Sequence, residues 1–250
     1  MAEGPVLIIT GASSGIGAET ARHAAREGYR LVLGARRAEP LAELAEELGG
    51  PSRAVAVRCD VTEWEECQSL AAAAEESFGG FDAVFANAGF GASRGFLEES
   101  PEHWRSMILT NVLGVALTIR ATLPHLLEKG GGHFLITGSV AGRRALPGSL
   151  YSSTKWAVTG IGESLRAELR QMHENHRIRV TLIEPLVVVR PDRSVATAEM
   201  VLAPQARGTD DVHPPDESTA LGPPFTLTFS TPLFESDVVP LTTTVEATVV

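Results

Sequence analysis

Lysine is almost missing from this 250-residue chain: Lys129 and Lys155 are the only two, and arginine supplies the rest of its 21 basic residues. Against 31 acidic residues this leaves a formal net charge of −10. No basic stripe is present, and binding to a phosphate backbone needs a positive face, so nucleic acid is excluded as a partner. Cysteine is equally scarce. Cys59, at the end of a predicted strand, and Cys67, in the following helix, offer neither a disulfide framework nor a metal-ligand cluster, and both read as core thiols. No apolar segment of signal-peptide or membrane-span length precedes the first strand, which sets the expectation of a cytoplasmic protein with no membrane partner. With 44% hydrophobic and 21% charged residues, the chain suits one α/β domain and leaves little room for a second.

What is present is alternation. Strand-like runs at 5–10, 30–35, 54–59, 82–86, 133–138 and 178–184 are separated by helical stretches. Those helices are predicted to about 28, near 39–48, near 63–78, over 101–128 and over 151–174. Strand and helix in turn predict a doubly wound parallel sheet with right-handed crossovers and ligands at the carboxyl ends of the strands. Thr10, Ala35, Asp60, Asn87, Ser139 and Pro185 each fall at or just after a predicted strand end, where distant positions converge.

The first such end is rich in glycine. Val6-Leu7-Ile8-Ile9 leads into Thr10-Gly11-Ala12-Ser13-Ser14-Gly15-Ile16-Gly17 and then a helical pattern. A turn of this kind lets backbone approach a pyrophosphate and presents to it the unpaired N–H groups and positive dipole end of a helix. Further on, Tyr151 and Lys155 lie four apart, and so share one helix face. The Lys155 charge is expected to favour the phenolate and draw the Tyr151 pKa down towards working pH, making the phenol a general acid/base. Taken alone, the pair reads equally well as a surface pair on an amphipathic helix.

Together, Thr10–Gly17, Asp60-Val61, Asn87-Ala88-Gly89, Asn111, Ser139 and Tyr151-Ser-Ser-Thr-Lys155 make residues 1–185 resemble the short-chain dehydrogenase/reductase family. The resemblance implies a Rossmann-like fold and a nicotinamide-dependent oxidoreductase that forms homodimers or homotetramers. It does not name the substrate. By resemblance Tyr151 donates and accepts the proton, Ser139 hydrogen-bonds the substrate oxygen, Lys155 also holds the nicotinamide ribose, and Asn111 holds a water in a relay to Lys155. The cofactor would lie along Gly11, Ser13, Ser14, Gly15, Ile16 and Gly17. Asp60 and Val61 would meet its adenine, Asn87, Ala88 and Gly89 its adenine-ribose side, and Pro185 its nicotinamide end. Asp60 also suits a simple turn or a helix cap.

Cofactor choice is readable at the second strand's end, where a carboxylate bonds the ribose 2′-OH of NAD and an arginine accommodates the 2′-phosphate of NADP. Here the run is Ala35-Arg36-Arg37, without an acid, so NADP is expected over NAD. The expected function is hydride transfer between NADPH and a small carbonyl or secondary alcohol. Phe90, Gly91, Ser93, Arg94 and Arg143–Pro147 would form the substrate wall.

The resemblance stops after Pro185. The family continues Pro-Gly and soon reaches a threonine, whereas this chain reads Pro185-Leu186-Val187-Val188-Val189-Arg190. Leucine in place of glycine is expected to force a different path. Residues 1–186 therefore read as a dinucleotide-binding and catalytic domain and 187–250 as an atypical C-terminal segment. Within that segment Ser194–Leu202 can form a short helix, Phe225–Thr231 and Thr242–Val250 can form strands, and 208–216 reads as exposed loop. Three explanations compete: a divergent substrate region, a disordered tail, or a shifted reading frame. The rival functions are an NADP-binding protein with impaired or no catalysis and a non-enzymatic sensor of cofactor redox state. The proton-relay residues argue against the sensor.

Overall fold

Consecutive residues of the first strand serve opposite sides of the molecule: Val6 and Ile8 belong to one core, Leu7 and Ile9 to another, and all four are buried. A strand with both faces buried reads as a continuous apolar run, and it needs helices above and below. The computed structural model of the chain describes residues 4–92, 95–172, 177–189, 195–202, 226–229 and 243–246. Its strands are β1 (Val6–Thr10), β2 (Arg30–Ala35), β3 (Ala54–Arg58), β4 (Ala83–Ala86), β5 (Gly131–Thr137), β6 (Arg177–Val189), β7 (Val195–Leu202), β8 (Thr226–Phe229) and β9 (Thr243–Glu246). The helices are α1 (Gly15–Arg26), α2 (Ala38–Glu47), α3 (Trp64–Phe78), α4 (Pro101–Ile108), α5 (Gly114–Lys129) and α6 (Tyr151–Met172).

The sheet order is β3-β2-β1-β4-β5-β6-β7, parallel through β6 and antiparallel between β6 and β7. Chain order reverses between β1 and β4, and the crevice outside their carboxyl ends is where such sheets bind ligands. On one face Leu70, Leu126, Val158 and Leu165, from α3, α5 and α6, pack with Ile8, Val84, Phe134 and Leu182. On the other, Ala18, Ala21, Leu41 and Leu44, from α1 and α2, pack with Leu7, Ile9, Leu31 and Phe85. The run Pro101–Lys129 is long and apolar enough to cross a bilayer. Here its Met107, Val115, Ile119 and Leu126 are buried in the protein.

The helix expected over 101–128 forms as a continuous run, Pro101–Lys129, in which α4 and α5 are joined by a π-helical turn, Leu109–Leu113, that an apolar pattern of helical period cannot reveal. Two expectations need correction. The sixth strand does not end at Pro185. With no glycine after it and three valines following, β6 runs on to Val189 and zips against β7. The short helix expected at Ser194–Leu202 is instead β7, in register from Ile183↔Leu202 to Val189↔Val195, because strand pairing overrides a weak local helical preference. The two later strands do form, as the antiparallel pair β8–β9. The loop expected at 208–216 lies outside the described residues.

Candidate functional site

The glycine turn between β1 and α1 is built against the end of β4. Gly11 has φ of 68°, and a side chain there would bring its Cβ to 2.8 Å from Ala88 Cα. At Gly17 a Cβ would lie 2.4 Å from the Gly11 carbonyl oxygen, so both positions require glycine. Buried Thr10 fastens the two segments: its Oγ1 accepts from the backbone N–H groups of Asn87 (3.0 Å) and Ala88 (3.1 Å). Asn87 returns the contact through Nδ2 to Thr10 O at 3.1 Å and accepts at Oδ1 from Thr137 Oγ1 at 3.0 Å. Three strand ends are thereby locked together.

Helix α1 opens at Gly15, flanked by Ser13, exposed Ser14 and Ile16. Ser14 makes no side-chain cap bond, and the first turn carries no acidic residue. Its N-terminal N–H groups thus point at the crevice with their dipole uncompensated, a setting suited to a pyrophosphate. Arg37, at the start of α2, reaches across to this turn, Nη2 lying 3.2 Å from Ser13 Oγ. Arg36 beside it is exposed, and Ala35, the last residue of β2, is buried and brings no carboxylate. A glycine cradle, a bare helix N-terminus and two guanidinium groups fit a phosphate-bearing dinucleotide. Asp60 closes the turn after β3, its Oδ1 accepting from Thr62 N (3.1 Å) and Thr62 Oγ1 (2.9 Å), while Val61 is buried against Gly114.

Across the crevice, β5 delivers Ser139, which caps a short 3₁₀ turn by accepting from Ala141 N at 3.1 Å. Tyr151, the first residue of α6, brings its phenol near enough to the Ser139 hydroxyl for that group to lower its pKa. One helical turn on, Lys155 is buried and donates from Nζ to the Thr137 carbonyl at 2.8 Å. Asn111, fully buried in the π turn, is committed on both sides. Its Oδ1 accepts from Phe90 N (3.0 Å), and Nδ2 donates to Phe90 O (2.8 Å) and Thr154 Oγ1 (3.2 Å). Asn111 therefore clips the loop after β4, next to Gly89, onto α6.

The electrostatics reverse one expectation. Burial raises the Tyr151 phenol above its ordinary value, and the Ser139 hydrogen bond only partly offsets this. The Lys155 ammonium is turned to Thr137 O and sits 5.8 Å from the Tyr151 ring centre. Lys155 itself is pushed down to about 8 by burial. Of the expected substrate wall, Phe90 meets the His103 ring edge-on at 5.1 Å and Gly91 is exposed, while Ser93 and Arg94 lie outside the described residues. Arg143 does not line the wall with a free charge: its Nε donates to the buried Glu184 carboxylate at 2.6 Å. Pro185 lies within β6, paired with Met200, rather than at a strand end. Thr137 was not singled out by sequence, and Thr10 and Thr154 were noted only as members of motifs, without the contacts they make. Their strand-end or motif-adjacent placement was the available signal.

Comparison with known proteins agrees with this geometry. The family model described as short chain dehydrogenase matches residues 5–199. An uncharacterized oxidoreductase of Listeria monocytogenes is 40% identical over 185 residues, 73% of this chain and 74% of that protein. Dehydrogenase/reductase SDR family member 11 of Gallus gallus is 34% identical over 216 residues, 79% of this chain and 84% of its own. Among solved structures, a short chain dehydrogenase/reductase from Burkholderia phymatum in complex with NAD superposes with a TM-score of 0.67 at 35% identity, covering 73% of this chain and 66% of that one. A metagenomic short-chain oxidoreductase in complex with NADP gives 0.65 at 34% identity, covering 73% and 82%. The chain belongs to the short-chain dehydrogenase/reductase family of oxidoreductases.

Proposed function

We propose that this protein is an NADP-dependent reductase or dehydrogenase acting on a small carbonyl or secondary alcohol, and that residues 1–186 are its catalytic unit. The observation that carries the reading is the convergence of Ser139, Tyr151 and Lys155 beside the glycine turn that opens α1. The cofactor, when bound, would supply the hydride as NADPH in reduction and accept it as NADP+ in oxidation. The chain's own residues then have separable tasks. Ser139 donates a hydrogen bond to the substrate oxygen and steadies the charge growing there during reduction. Tyr151, kept protonated by burial, delivers its proton to that same oxygen, and the reverse transfer serves oxidation. Lys155 holds a positive charge behind the phenol and reaches the nicotinamide ribose side. Asn111 fixes the spacing between the loop after β4 and α6; its side-chain donors are spent on protein, so a water relay through it would use the remaining Oδ1 lone pair or its backbone carbonyl.

The preference for NADP over NAD rests on Arg36 and Arg37 together with the missing acid at Ala35. Relatives of known structure hold NAD in one case and NADP in another, so the family alone does not choose. Fluorescence titration of both reduced cofactors tests it: NADPH should bind at least about tenfold more tightly, on the scale of one charge-assisted hydrogen bond. Arg37→Ala and Arg36→Ala should each erode that ratio, and equal affinities in the parent protein would sink the assignment.

Exposed Leu109 and Leu113 on the π turn and Trp156 on α6 support association of copies into a homodimer or homotetramer. A second reading is favoured by one observation. Because β6 continues through Pro185 to Val189, the nicotinamide end of the crevice differs from the family's, which would leave an NADP-binding protein with impaired catalysis.

A further inference from the structure

Two residues before Tyr151 the backbone does something serine avoids. Ser149 has φ of 55° and is the only non-glycine residue in the left-handed region among the described residues. Its side chain is buried at 5% exposure. A left-handed serine persists only where surrounding contacts over-determine it. The contact is Trp104, in the middle of α4, whose indole Nε1 donates to Ser149 Oγ at 2.6 Å. Trp104 is set in turn from its own side: Ser100 caps α4 by accepting from His103 N at 3.2 Å, and the Phe96 ring meets the indole edge-on at 5.9 Å.

What the turn controls is the entry of α6. Gly148, also at positive φ, accepts from Tyr151 N at 3.2 Å, and Leu150 O accepts from Thr154 N at 3.2 Å. Ser152 Oγ closes the preceding loop by pairing with the backbone of Leu146, at 3.1 and 3.2 Å. Tyr151 is therefore the first residue after a turn whose shape depends on one strained dihedral. If Ser149 relaxed to negative φ, the start of α6 would swing and carry the phenol away from Ser139.

We propose that Trp104 is a positioning residue for Tyr151, acting through Ser149: its indole N–H holds the left-handed turn that aims the phenol at Ser139. The inference rests on the assignment of Tyr151 as proton donor. It assigns α4 and the aromatic loop before it a share in the chemistry, although neither Trp104 nor Phe96 belongs to the family motifs quoted above.

The test couples two substitutions with two readouts. Trp104→Phe keeps an aromatic ring against Phe96 and removes the donor together with part of the indole, while Ser149→Gly lets the backbone hold positive φ without support. The first readout needs no turnover. The chain has only two tyrosines, so fluorotyrosine incorporation gives two fluorine NMR signals, assigned with Tyr29→Phe. Trp104→Phe should displace the Tyr151 signal and raise its titration midpoint, since the Ser139 contact that lowers it is lost. Adding Ser149→Gly should bring both back towards the parent. The second readout is reduction of an accepted carbonyl. Trp104→Phe should lower kcat by about 10–100-fold, the scale of a small misplacement of a catalytic group, and the double variant should recover most of it. NADPH affinity should stay within about twofold throughout, since the cofactor turn lies elsewhere.

A Tyr151 signal unmoved in Trp104→Phe would overturn the proposal. So would a displaced signal that Ser149→Gly fails to restore, because Trp104 would then act by packing alone. Should Trp104→Phe fail to fold, Ser149→Ala removes the acceptor while keeping a side chain that disfavours positive φ, so the turn should relax and the same displacement is expected. Should the parent reduce no carbonyl, the proposed function falls while the fluorine readout still decides the role of Trp104.

Discussion

Lys155 is an ammonium group held where water is almost excluded, with one carbonyl for company. That arrangement costs stability and exists for another reason. The free-protein pKa of about 8 against an ordinary 10.5 means that the unfolded chain holds this proton more tightly. Stability should therefore rise as the pH climbs from about 8 to 10.5, and the penalty should be present in full below that window. Lys155→Met removes the penalty and forfeits the Thr137 contact, so at neutral pH it should stabilise the fold by about 1–3 kcal/mol while abolishing turnover. Urea unfolding of both proteins at neutral pH checks this, and a destabilised Lys155→Met would contradict the assigned cost. The i, i+4 spacing in Tyr151-Ser-Ser-Thr-Lys155 was enough to place phenol and ammonium on one face. It could not show how deeply the helix start is buried, and burial, not the neighbouring charge, fixes the direction of both pKa shifts. Likewise Asn111 was recognised by motif, but its clamp between Phe90 and Thr154 depends on a π turn that has no sequence period of its own.

At the scale of elements, strands reveal themselves where both faces are buried, which is why β1, β2 and β4 stood out as short apolar runs. β5 hides a polar residue among them. His133 is paired across the strands with Arg179 and contacts Thr181 Oγ1 at 2.8 Å. Burial, with the Arg179 charge adding to it, pushes the imidazole down to about 4. The unfolded chain protonates near 6.5 and the folded one near 4, so stability present above the first value should be lost as pH falls towards the second. His133→Gln should remove up to about 2–3 kcal/mol of that acid sensitivity. Thermal unfolding across pH 7 to 4, an interval of about three units around these two values, would show a flatter profile for the variant. An unchanged slope would place the acid-labile group elsewhere. Element ends were harder to read than element centres. β6 overran its expected end because the motif's glycine is replaced by Leu186, and β7 was mistaken for a helix because its residues suit either state and its partner is chosen by tertiary pairing.

For the molecule as a whole, the sheet order and crevice followed from the alternation of strand and helix, and the motifs at the strand ends identified the family. The remaining quarter could not be read, since a segment without clear periodicity carries no instruction about what it packs against. The matches themselves leave a quarter of both this chain and its Listeria relative outside the alignment. Replacing everything after Pro185 by the corresponding ending of that relative should raise turnover by at least about tenfold while leaving NADPH affinity unchanged, if the altered ending limits the substrate side alone. A chimera no faster than the parent would show that residues beyond 186 already suffice. The nucleotide sequence around codons 180–195, read in all three frames, bears on the same point, because a family-like ending in another frame would identify the tail as a shifted product. The central claim is proton delivery by Tyr151 during hydride transfer, and the most direct measurement is the disappearance of reduced-nicotinamide absorbance with a panel of small carbonyls, run for the parent and for Tyr151→Phe. The expected result is NADPH-dependent reduction by the parent and a loss of at least about a thousandfold in kcat for the variant, with NADPH binding intact, in line with removal of a general acid. Tyr151→Phe retaining a near-parent kcat on an accepted carbonyl would contradict the account.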